Sequence, residues 1–398
     1  NAKDINLKSM PLSSLGVKEL NDHTLSITLE SETKDLPLIL AQPIAMPCNK
    51  AFFESCNGQY GLENKNLISN GPFKIKSRYG WDHYNAIHLV KNQDYIGDST
   101  SSFAGVSFLM NQSSDNAVDL IKNETIDIGR LSSSQIEEAN KNKMQISEFN
   151  SSIYGITFNC SNEIFSNVNI RKAFLTALNK EYLLSSLDNK LEKVTDIIPN
   201  SYKINGEIYR DLAGRSLYLH ENENPKALLE KGLSELKLKT LPEVTITCKD
   251  ESELKPIVNN MIEMLNNKLG YYFNMEPVSK STLTQKVKGS SYQIAIAPIA
   301  LENNSIYEIL NTFRSDNKNN IANYQNEHFD NLLNAAENIK SSKAINSLIE
   351  AEKYLNDNAI FYPLYIEKSY FVCSKNVSGV IFYPYNLGIY FANAKKVK

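Results

Sequence analysis

Alternating apolar and polar residues in the first third of the chain predict antiparallel β-structure. Residues 24–30, 71–76, 83–90 and 103–110 each alternate in this way, and polar turns separate them. Such alternation is typical of strands that bury one face and expose the other. We therefore expect antiparallel sheets in this part of the chain.

Helical spacing begins after residue 113. Apolar residues three and four apart predict helices over residues 114–123 and 168–179. Between these helices, residues 154–159 return to a strand pattern. We expect these elements to belong to the same lobe as the preceding sheets.

Strand and helix patterns alternate between residues 243 and 297, which predicts an α/β lobe with the order βαβαβ. The long helix carries an apolar stripe and stops at Gly270, a residue that readily adopts the left-handed conformation that ends helices. The predicted elements are a strand at 244–248, a helix at 251–269, a strand at 271–278, a helix at 281–288 and a strand at 292–297. Two further helices, at 327–339 and 343–355, and a strand at 361–366 are expected after them.

The end of the last βαβαβ strand is a candidate ligand site. In open α/β sheets, ligands bind beyond the carboxyl ends of the strands. The pattern ends at residue 297, so we expect residues 298–304 to form a loop that faces the first lobe.

Composition and charge exclude several classes of protein. The chain has 398 residues, of which 42% are hydrophobic and 22% charged, as in globular proteins of two or three domains. Its net charge of −3 provides no basic field for nucleic acid. The longest apolar stretch, residues 36–47, is interrupted by polar residues and prolines and is too short to span a bilayer. The start of the chain has no charged-then-apolar signal pattern, so any export signal is expected to have been removed or to lie upstream of Asn1.

The sequence lacks the motifs of nucleotide, hydrolase and metal chemistry. It contains no glycine-rich phosphate loop, no G-x-S-x-G and no H-E-x-x-H, so we expect a protein that is not an enzyme and that needs no cofactor or metal. Cys48 and Cys56 either close a small loop or remain two free thiols. The 21 Tyr and 16 Phe residues mostly fill cores, and a minority are expected to line a recognition cleft.

Six segments, in the same order, resemble the extracellular solute-binding proteins, family 5, which serve peptide ABC transporters. Among them, Asn70–Gly–Pro–Phe–Lys–Ile75 is similar to the family's Gly-Pro-Tyr-Lys-Leu segment, and residues 359–365 are similar to its Pro-Leu-Tyr signature. The full set of matching segments is 15–29, 70–75, 121–127, 158–173, 323–330 and 359–365.

This resemblance implies a periplasmic-binding-protein-like fold of type II, peptide-binding cluster, with two α/β lobes joined by a hinge. With the element order, it leads us to expect a first lobe at 1–199 and 369–398, with the remnant of a small extra domain near its start, and a second lobe at 200–368. The implied function is to capture peptides between the lobes and deliver them to a membrane permease. The implied molecule is a monomer at the outer face of the membrane or in the periplasm, lipid-anchored through a missing N-terminal segment. The alternative is a scaffold with altered ligand binding that acts as a sensor, adhesin or protein-interaction module.

The resemblance also implies candidate ligand-binding residues. In the family, a Trp-x-x-Asp segment follows the strand that resembles residues 292–297, and its Asp binds the amino terminus of the peptide. Here Glu302 matches that Asp by type, and Ile299 replaces the Trp. Glu302 is thus either an amine-binding carboxylate or a solvated loop charge. Neighbouring Ala300 and Asn303, and Tyr154 in the preceding lobe, complete the candidate set.

Pro298 departs from the usual mode of peptide binding. It lies in the segment that, by the resemblance, pairs with the ligand backbone as an added strand. Because proline has no N–H to donate, we expect this pairing to be altered.

Overall fold

A computed structural model gives the structure of most of the chain. It describes residues 5, 8–29, 36, 40, 45–97, 103–110, 113–187, 191–214, 223–252, 254–271, 273–301, 305–336, 342–383, 388–391 and 393–397.

Most strands of the described residues are short, but two of them are 13 residues or longer. In chain order the strands are β1 (Val17–Asn21), β2 (Thr24–Ile27), β3 (Phe73–Ile75), β4 (Trp81–Asp82), β5 (Ala86–Lys91), β6 (Gly105–Leu109), β7 (Ile128–Leu131), β8 (Gln145–Phe158), β9 (Glu192–Lys193), β10 (Lys203–Ile204), β11 (Glu207–Ile208), β12 (Thr245–Lys249), β13 (Asn274–Val278), β14 (Ile294–Ala300), β15 (Phe361–Cys373), β16 (Val377–Ser378), β17 (Ile381–Phe382), β18 (Ile389–Tyr390) and β19 (Lys395–Lys396).

The α-helices lie mainly after residue 160. In chain order they are α1 (Lys50–Ser55), α2 (Ala117–Lys122), α3 (Ile136–Lys141), α4 (Val168–Thr176), α5 (Lys180–Ser185), α6 (Tyr209–Ala213), α7 (Pro225–Glu235), α8 (Lys255–Leu269), α9 (Lys280–Lys288), α10 (Ile306–Asn311), α11 (Glu327–Ala336) and α12 (Ser342–Asp357). Among the described residues, no helix is both long and apolar enough to cross a lipid bilayer.

The predicted antiparallel structure of the first third is confirmed. Strands β1 and β2 form a hairpin, and β3 to β6 form a four-stranded antiparallel sheet. A separate small core forms where α2 and α3 pack beneath β7. The apolar residues of the predicted helix at 114–123, Ala117, Val118 and Ile121, are buried in that core.

A seven-stranded mixed sheet connects the two lobes of the fold. Its order is β13-β12-β14-β8-β15-β7, and β9 pairs with β15. The long strands β8 and β15 are antiparallel and extend through the whole sheet. They pair with β7 at one end and with β14 and β9 at the other.

The predicted βαβαβ unit is confirmed by β12, α8, β13, α9 and β14. Strand β12 is parallel to both β13 and β14, as expected when helices connect the strands. The apolar stripe of α8 is buried, and the helix ends at Gly270, whose φ is +76°. Helices α4, α7 and α8 cover one face of the sheet, and α10, α11 and α12 cover the other.

The expected loop at residues 298–304 is wrong for its first three residues, because β14 continues to Ala300. These residues stay in register with β8 as far as Ser152. Leu301 N donates to Ser151 O, so the odd-numbered residues of β14 direct their backbone groups towards β8. Pro298 therefore has its nitrogen on the opposite side, where pairing with β12 has already ended at Ala295. A proline is tolerated in a strand on such an unpaired side.

Residues 154–187 pack against the α/β unit, and their apolar side chains share one core with residues 228–296. The lobe boundary at residue 199 stays a prediction, and the direct packing of α4 on α7 favours an earlier boundary. We propose that the chain enters the second lobe within β8, near Ser151, and leaves it within β15, where the register shifts between Glu367 and Lys368.

Gly232 permits the close approach of α7 to α4. A Cβ at this position would lie 2.5 Å from Ile170 Cγ1 and 2.8 Å from Asn167 Oδ1, the oxygen that caps α4. Gly232→Ala, which would stabilise an exposed helix by up to about 1 kcal/mol, should instead lower the free energy of unfolding by about 1–3 kcal/mol. Urea unfolding of this variant tests the expectation. Ser234→Ala, at an exposed position of the same helix, is the matched control. A Gly232→Ala variant that is more stable than wild type would contradict the expectation.

Candidate functional site

A cavity of about 310 Å³ lies where both lobes meet the hinge strand β15. We define this hinge cavity by residues 130–133 of the first lobe, by Lys249, Glu251 and Lys280 of the second lobe, and by residues 365–371 of β15. Lys249 ends β12, and Lys280 begins the helix that follows β13. The cavity therefore lies beyond the carboxyl ends of two parallel strands, where α/β sheets bind ligands.

Four charged side chains in this cavity form a cluster that we call the hinge ion cluster: Lys249, Glu251, Lys280 and Glu367. Lys249 Nζ lies 2.7 Å from Glu367 Oε1 and 2.8 Å from Glu251 Oε1. Lys280 Nζ lies 3.0 Å from Glu367 Oε2. Because the side chain of Lys249 is only 4% exposed, the ion pair that connects β12 to the hinge strand β15 is largely buried and is not a surface ion pair.

Two members of the hinge ion cluster, Glu367 and Lys249, have pKa values that are shifted towards their charged forms. Burial raises the pKa of Glu367, but the charges and hydrogen bonds of Lys249 and Lys280 outweigh burial and hold that pKa below its usual value. Burial likewise lowers the pKa of Lys249, yet the negative charges of Tyr154 in its ionised form and of Glu367, with hydrogen bonds to Glu251 and Glu367, outweigh burial and raise that pKa. Both groups are therefore ionised at neutral pH.

The lowered pKa of Glu367 predicts a pH dependence of stability. A carboxyl whose pKa is lower in the folded than in the unfolded state stabilises the fold above its unfolded pKa of about 4.3, and this contribution is lost as the pH falls through the folded pKa. The stability difference between wild type and Glu367→Gln should therefore be constant from pH 7 to about pH 5 and shrink at lower pH. Urea unfolding at pH 7, 5 and 3.5 measures it, and a difference that grows on acidification would contradict the expectation.

Two stacked tyrosines support the cluster. Tyr154 of β8 and Tyr365 of β15 are register partners, and their ring centres lie 5.1 Å apart with an angle of 2° between the rings. Lys249 Nζ lies 4.8 Å from the centre of the Tyr154 ring. Burial raises the pKa of Tyr154 to about 12, so its hydroxyl is protonated at neutral pH. A register shift between Pro363 and Tyr365 sets the direction of the Tyr365 side chain.

The hydroxyl of Tyr365 is buried and has no hydrogen-bond partner among the described residues. Such an orphaned hydroxyl costs about 1–3 kcal/mol relative to a paired one. Burial also raises the pKa of Tyr365 well above its usual value, which keeps the hydroxyl protonated. Tyr365 contributes to the wall of the hinge cavity, but its hydroxyl oxygen has almost no accessible surface.

Three of the predicted site residues, Ile299, Tyr154 and Ala300, lie in the described part of the chain, and their side chains do not line one common cavity. Ile299 is fully buried in the core beside α10 to α12, and its role in ligand binding stays a prediction. The side chain of Tyr154 is 1% exposed, and its ring contacts Tyr365 and Lys249. Ala300 is exposed at the end of β14 and lines a separate groove of about 780 Å³.

The remaining two predicted residues, Glu302 and Asn303, lie outside the described residues, so their roles stay predictions. All five cysteines are free thiols; Cys48 is exposed and Cys56 is buried. Among the described residues, no group of three His, Cys, Asp or Glu side chains is placed to hold a metal ion.

Sequence reasoning missed the residues that line the hinge cavity. Ligands of α/β sheets bind beyond the carboxyl ends of parallel strands, and β12, which ends at Lys249, is such a strand as well as β14. A lysine that ends a buried strand was a signal for this site. The contribution of residues 365–371 had no local signal, since it depends on β15 pairing with β8 across about 200 residues of sequence.

Comparison with known proteins agrees with this architecture. The family described as "Bacterial extracellular solute-binding proteins, family 5 Middle" matches residues 2–320. The chain is 25% identical to the dipeptide-binding protein DppE of Bacillus subtilis, over 92% of this chain and 67% of that protein. It is 24% identical to the oligopeptide-binding protein OppA of the same organism, over 96% of this chain and 71% of that protein.

Solved structures show the same fold. A Listeria monocytogenes OppA bound to peptide aligns with a TM-score of 0.74 and 23% identity, over 100% of this chain and 78% of that chain. The substrate-binding domain of an oligopeptide ABC transporter from Bacillus anthracis aligns with a TM-score of 0.75 and 20% identity over the same shares. The chain therefore has the two-lobed architecture that the resemblance of its segments implied.

Proposed function

The chain belongs to family 5 of the bacterial extracellular solute-binding proteins, and from this premise we propose that it is the peptide-binding component of an ABC importer. The observation that carries the proposal is the hinge cavity, which both lobes and β15 line together. The names of the relatives, which bind dipeptides or oligopeptides, support peptides as the ligand class. No feature of the described residues favours a sensor or adhesin.

Ligand capture then proceeds by closure of the lobes about β8 and β15. These two strands join the lobes, and the register of β15 shifts at two points, between Pro363 and Tyr365 and between Glu367 and Lys368. Such irregularities concentrate bending in few residues, as hinge closure requires. The hinge ion cluster keeps the second lobe attached to β15, so the bend falls on the first-lobe side of Glu367.

The ligand backbone pairs with the part of β14 that β12 leaves unpaired, in the groove lined by Pro298 and Ala300, while one end of the ligand occupies the hinge cavity. Beyond Ala295, this side of β14 has no partner strand within the described ranges. Added-strand pairing of this kind uses main-chain groups and therefore tolerates many side chains. Because Pro298 has no N–H, the pairing uses its carbonyl oxygen and the main-chain groups of Ala300.

The remaining features of this proposal follow the family. We expect a monomer that passes its peptide to a membrane permease, that works outside the cytoplasm, and that has no catalytic activity of its own. Attachment to the membrane through a lipid stays a prediction.

Peptide retention tests the proposed function. The purified protein is partly unfolded to release endogenous ligand, refolded, and incubated with a pool of two- to six-residue peptides, and the retained peptides are identified by mass spectrometry and titrated by calorimetry. We expect retention of specific peptides with a stoichiometry near one. Retention of none from any pool would contradict the proposal, and ligand-independent capture of a membrane or secreted protein would favour the sensor or adhesin alternative.

Glu302→Gln tests the predicted amine contact. A charge-assisted hydrogen bond between a carboxylate and the ligand ammonium contributes about 1.5–3 kcal/mol, so this variant should bind peptides with free amino termini roughly tenfold more weakly or worse. Amino-acetylated peptides lack the charge and should bind both forms equally weakly. Unchanged affinity of a folded Glu302→Gln for free-amine peptides would show that Glu302 is a solvated loop charge.

A further inference from the structure

Two tyrosines on either side of the short strand β4 are almost entirely exposed. Tyr79 lies in the turn before β4 and is 91% exposed, and Tyr84 lies in the turn after β4 and is 82% exposed. Both have a positive φ, of 54° and 70°, which is unfavourable for a residue with a large side chain. Burial of the rings does not offset this cost. Residues in such conformations cluster at functional sites, so these turns are candidates for one.

The two turns belong to a larger exposed surface. The ring of Trp81 in β4 stacks on His83 with 4.7 Å between ring centres, and His83 lies 6.5 Å from the Tyr84 ring. Met110, which follows β6, is 36% exposed and donates its backbone N–H to Asn85 O in the turn of Tyr84. Because Tyr79 is two residues from Trp81, their Cα atoms are at most about 7 Å apart. We define the aromatic tip by Tyr79, Trp81, His83, Tyr84 and Met110.

The aromatic tip does not have the shape of a small-molecule site. Its tyrosines lie on turns and extend into solvent, so they form a convex surface, whereas small ligands are bound in clefts. Trp81 is half-buried, and His83 covers one face of its ring, which leaves little of the indole for stacking on a sugar. A convex surface of exposed rings fits an extended partner into which the rings can insert.

Cations accompany these rings. Arg78 directly precedes Tyr79, and Lys76 lies two residues before Arg78. Both are exposed, and neither has a carboxylate within 4.0 Å in the part of the chain that the structure describes. The acidic residue of the tip, Asp82, accepts a hydrogen bond from Asn85 Nδ2 at 3.1 Å. Tyrosine and tryptophan rings are enriched at the headgroup level of lipid bilayers, and neighbouring Lys and Arg side chains are attracted to anionic lipids.

We propose that the aromatic tip is a contact surface for a phospholipid bilayer. The rings of Tyr79 and Tyr84 insert among the lipid headgroups, and Lys76 and Arg78 contact the lipid phosphates. Few side chains take part, so the contact is weak and reversible. This inference goes beyond the proposed function: it keeps the protein beside the bilayer that contains the permease, and peptide binding does not depend on it.

Fluorescence with lipid vesicles tests the inference. Trp81 is the only tryptophan of the chain, so its emission reports on the aromatic tip alone. We expect vesicles of equal parts phosphatidylcholine and phosphatidylglycerol to shift this emission to shorter wavelengths, and brominated lipids to quench it. Affinity for vesicles of phosphatidylcholine alone should be about tenfold lower, because the two cations favour an anionic surface.

The double variant Tyr79→Asn/Tyr84→Asn removes both rings. Asparagine adopts a positive φ more readily than tyrosine, so the midpoint of thermal unfolding should not fall. Affinity for both kinds of vesicle should fall about tenfold or more, and peptide retention should stay unchanged. Tyr182→Asn on α5, at a position that is 51% exposed, is the matched control and should bind vesicles as the wild type does.

The charge variant Lys76→Gln/Arg78→Gln should lose the preference for anionic vesicles and keep its affinity for phosphatidylcholine alone. No emission shift of the wild type with either vesicle, or unchanged binding by the Tyr79→Asn/Tyr84→Asn variant, would overturn the inference. Binding only to vesicles that contain membrane proteins would overturn it in favour of a protein partner. Peptide retention tests the proposed function separately, so either idea can fail without the other.

Discussion

Lys249→Met lowers the free energy of unfolding by about 3–5 kcal/mol, the cost of removing one partner of a buried ion pair. The aliphatic part of the side chain is kept, so the loss comes from the charge. Glu367, whose side chain is 22% exposed, then retains only Lys280 as a partner, and Glu251 loses its contact. Urea unfolding at pH 7 measures the change.

Two comparisons sharpen this result. Lys255→Met breaks an ion pair whose side chains are 54% and 57% exposed and should change stability by less than about 1 kcal/mol. The double variant Lys249→Met/Glu367→Gln should recover part of the loss, because the less exposed carboxylate that Lys249 contacted is neutralised as well, and the two charges that remain, Glu251 and Lys280, are 45% and 65% exposed. A single Lys249→Met variant as stable as Lys255→Met would show that the hinge ion cluster does not tie β12 to β15.

A loss of about 3–5 kcal/mol is also expected for Arg210→Met, in the core of the second lobe. The guanidinium contacts Glu352, whose side chain is 2% exposed, and lies 3.5 Å from Asp196. Glu352 also accepts hydrogen bonds from Tyr209 and from the backbone of Ile198. Without Arg210, the buried carboxylate of Glu352 loses the cation that contacts it.

The pH dependence of this variant identifies the cause of the loss. Burial raises the pKa of Glu352 even with Arg210 present, and the arginine opposes that effect. In Arg210→Met the folded-state pKa of Glu352 lies higher still, so folding binds a proton and stability rises as the pH falls through that value. The difference in the free energy of unfolding between wild type and Arg210→Met should therefore become smaller from pH 8 to pH 5. If this difference in the free energy of unfolding does not depend on pH, lost packing is its cause instead. The control is Arg78→Met at an exposed position, whose free energy of unfolding should stay within about 0.5 kcal/mol of wild type.

Prediction of the site was limited by the distance between its parts along the chain. Residues 298–300 were the strongest local candidate because a strand pattern ended before them, yet they continue β14. The hinge cavity joins β7, the end of β12, the start of α9 and the middle of β15. Apart from Lys249, which ends a buried strand, these segments carry no local signal, since an arginine in a strand is common on surfaces.

The sequence by itself determined the elements whose signals are local. Periodicity and turn residues are enough to predict three features of the fold. These are the apolar stripe and terminal glycine of α8, the βαβαβ order, and the antiparallel strands of the first lobe. Only the tertiary structure decided where β8 begins and where β14 ends. Residues 145–153 become part of β8 because residues 366–373 pair with them, and Pro298 stays in β14 because β8 pairs on one side and β12 has ended on the other. Such pairings are set by chain segments far apart in the sequence, so no pattern within one segment encodes the hinge, the lobe boundary or the cavity between them.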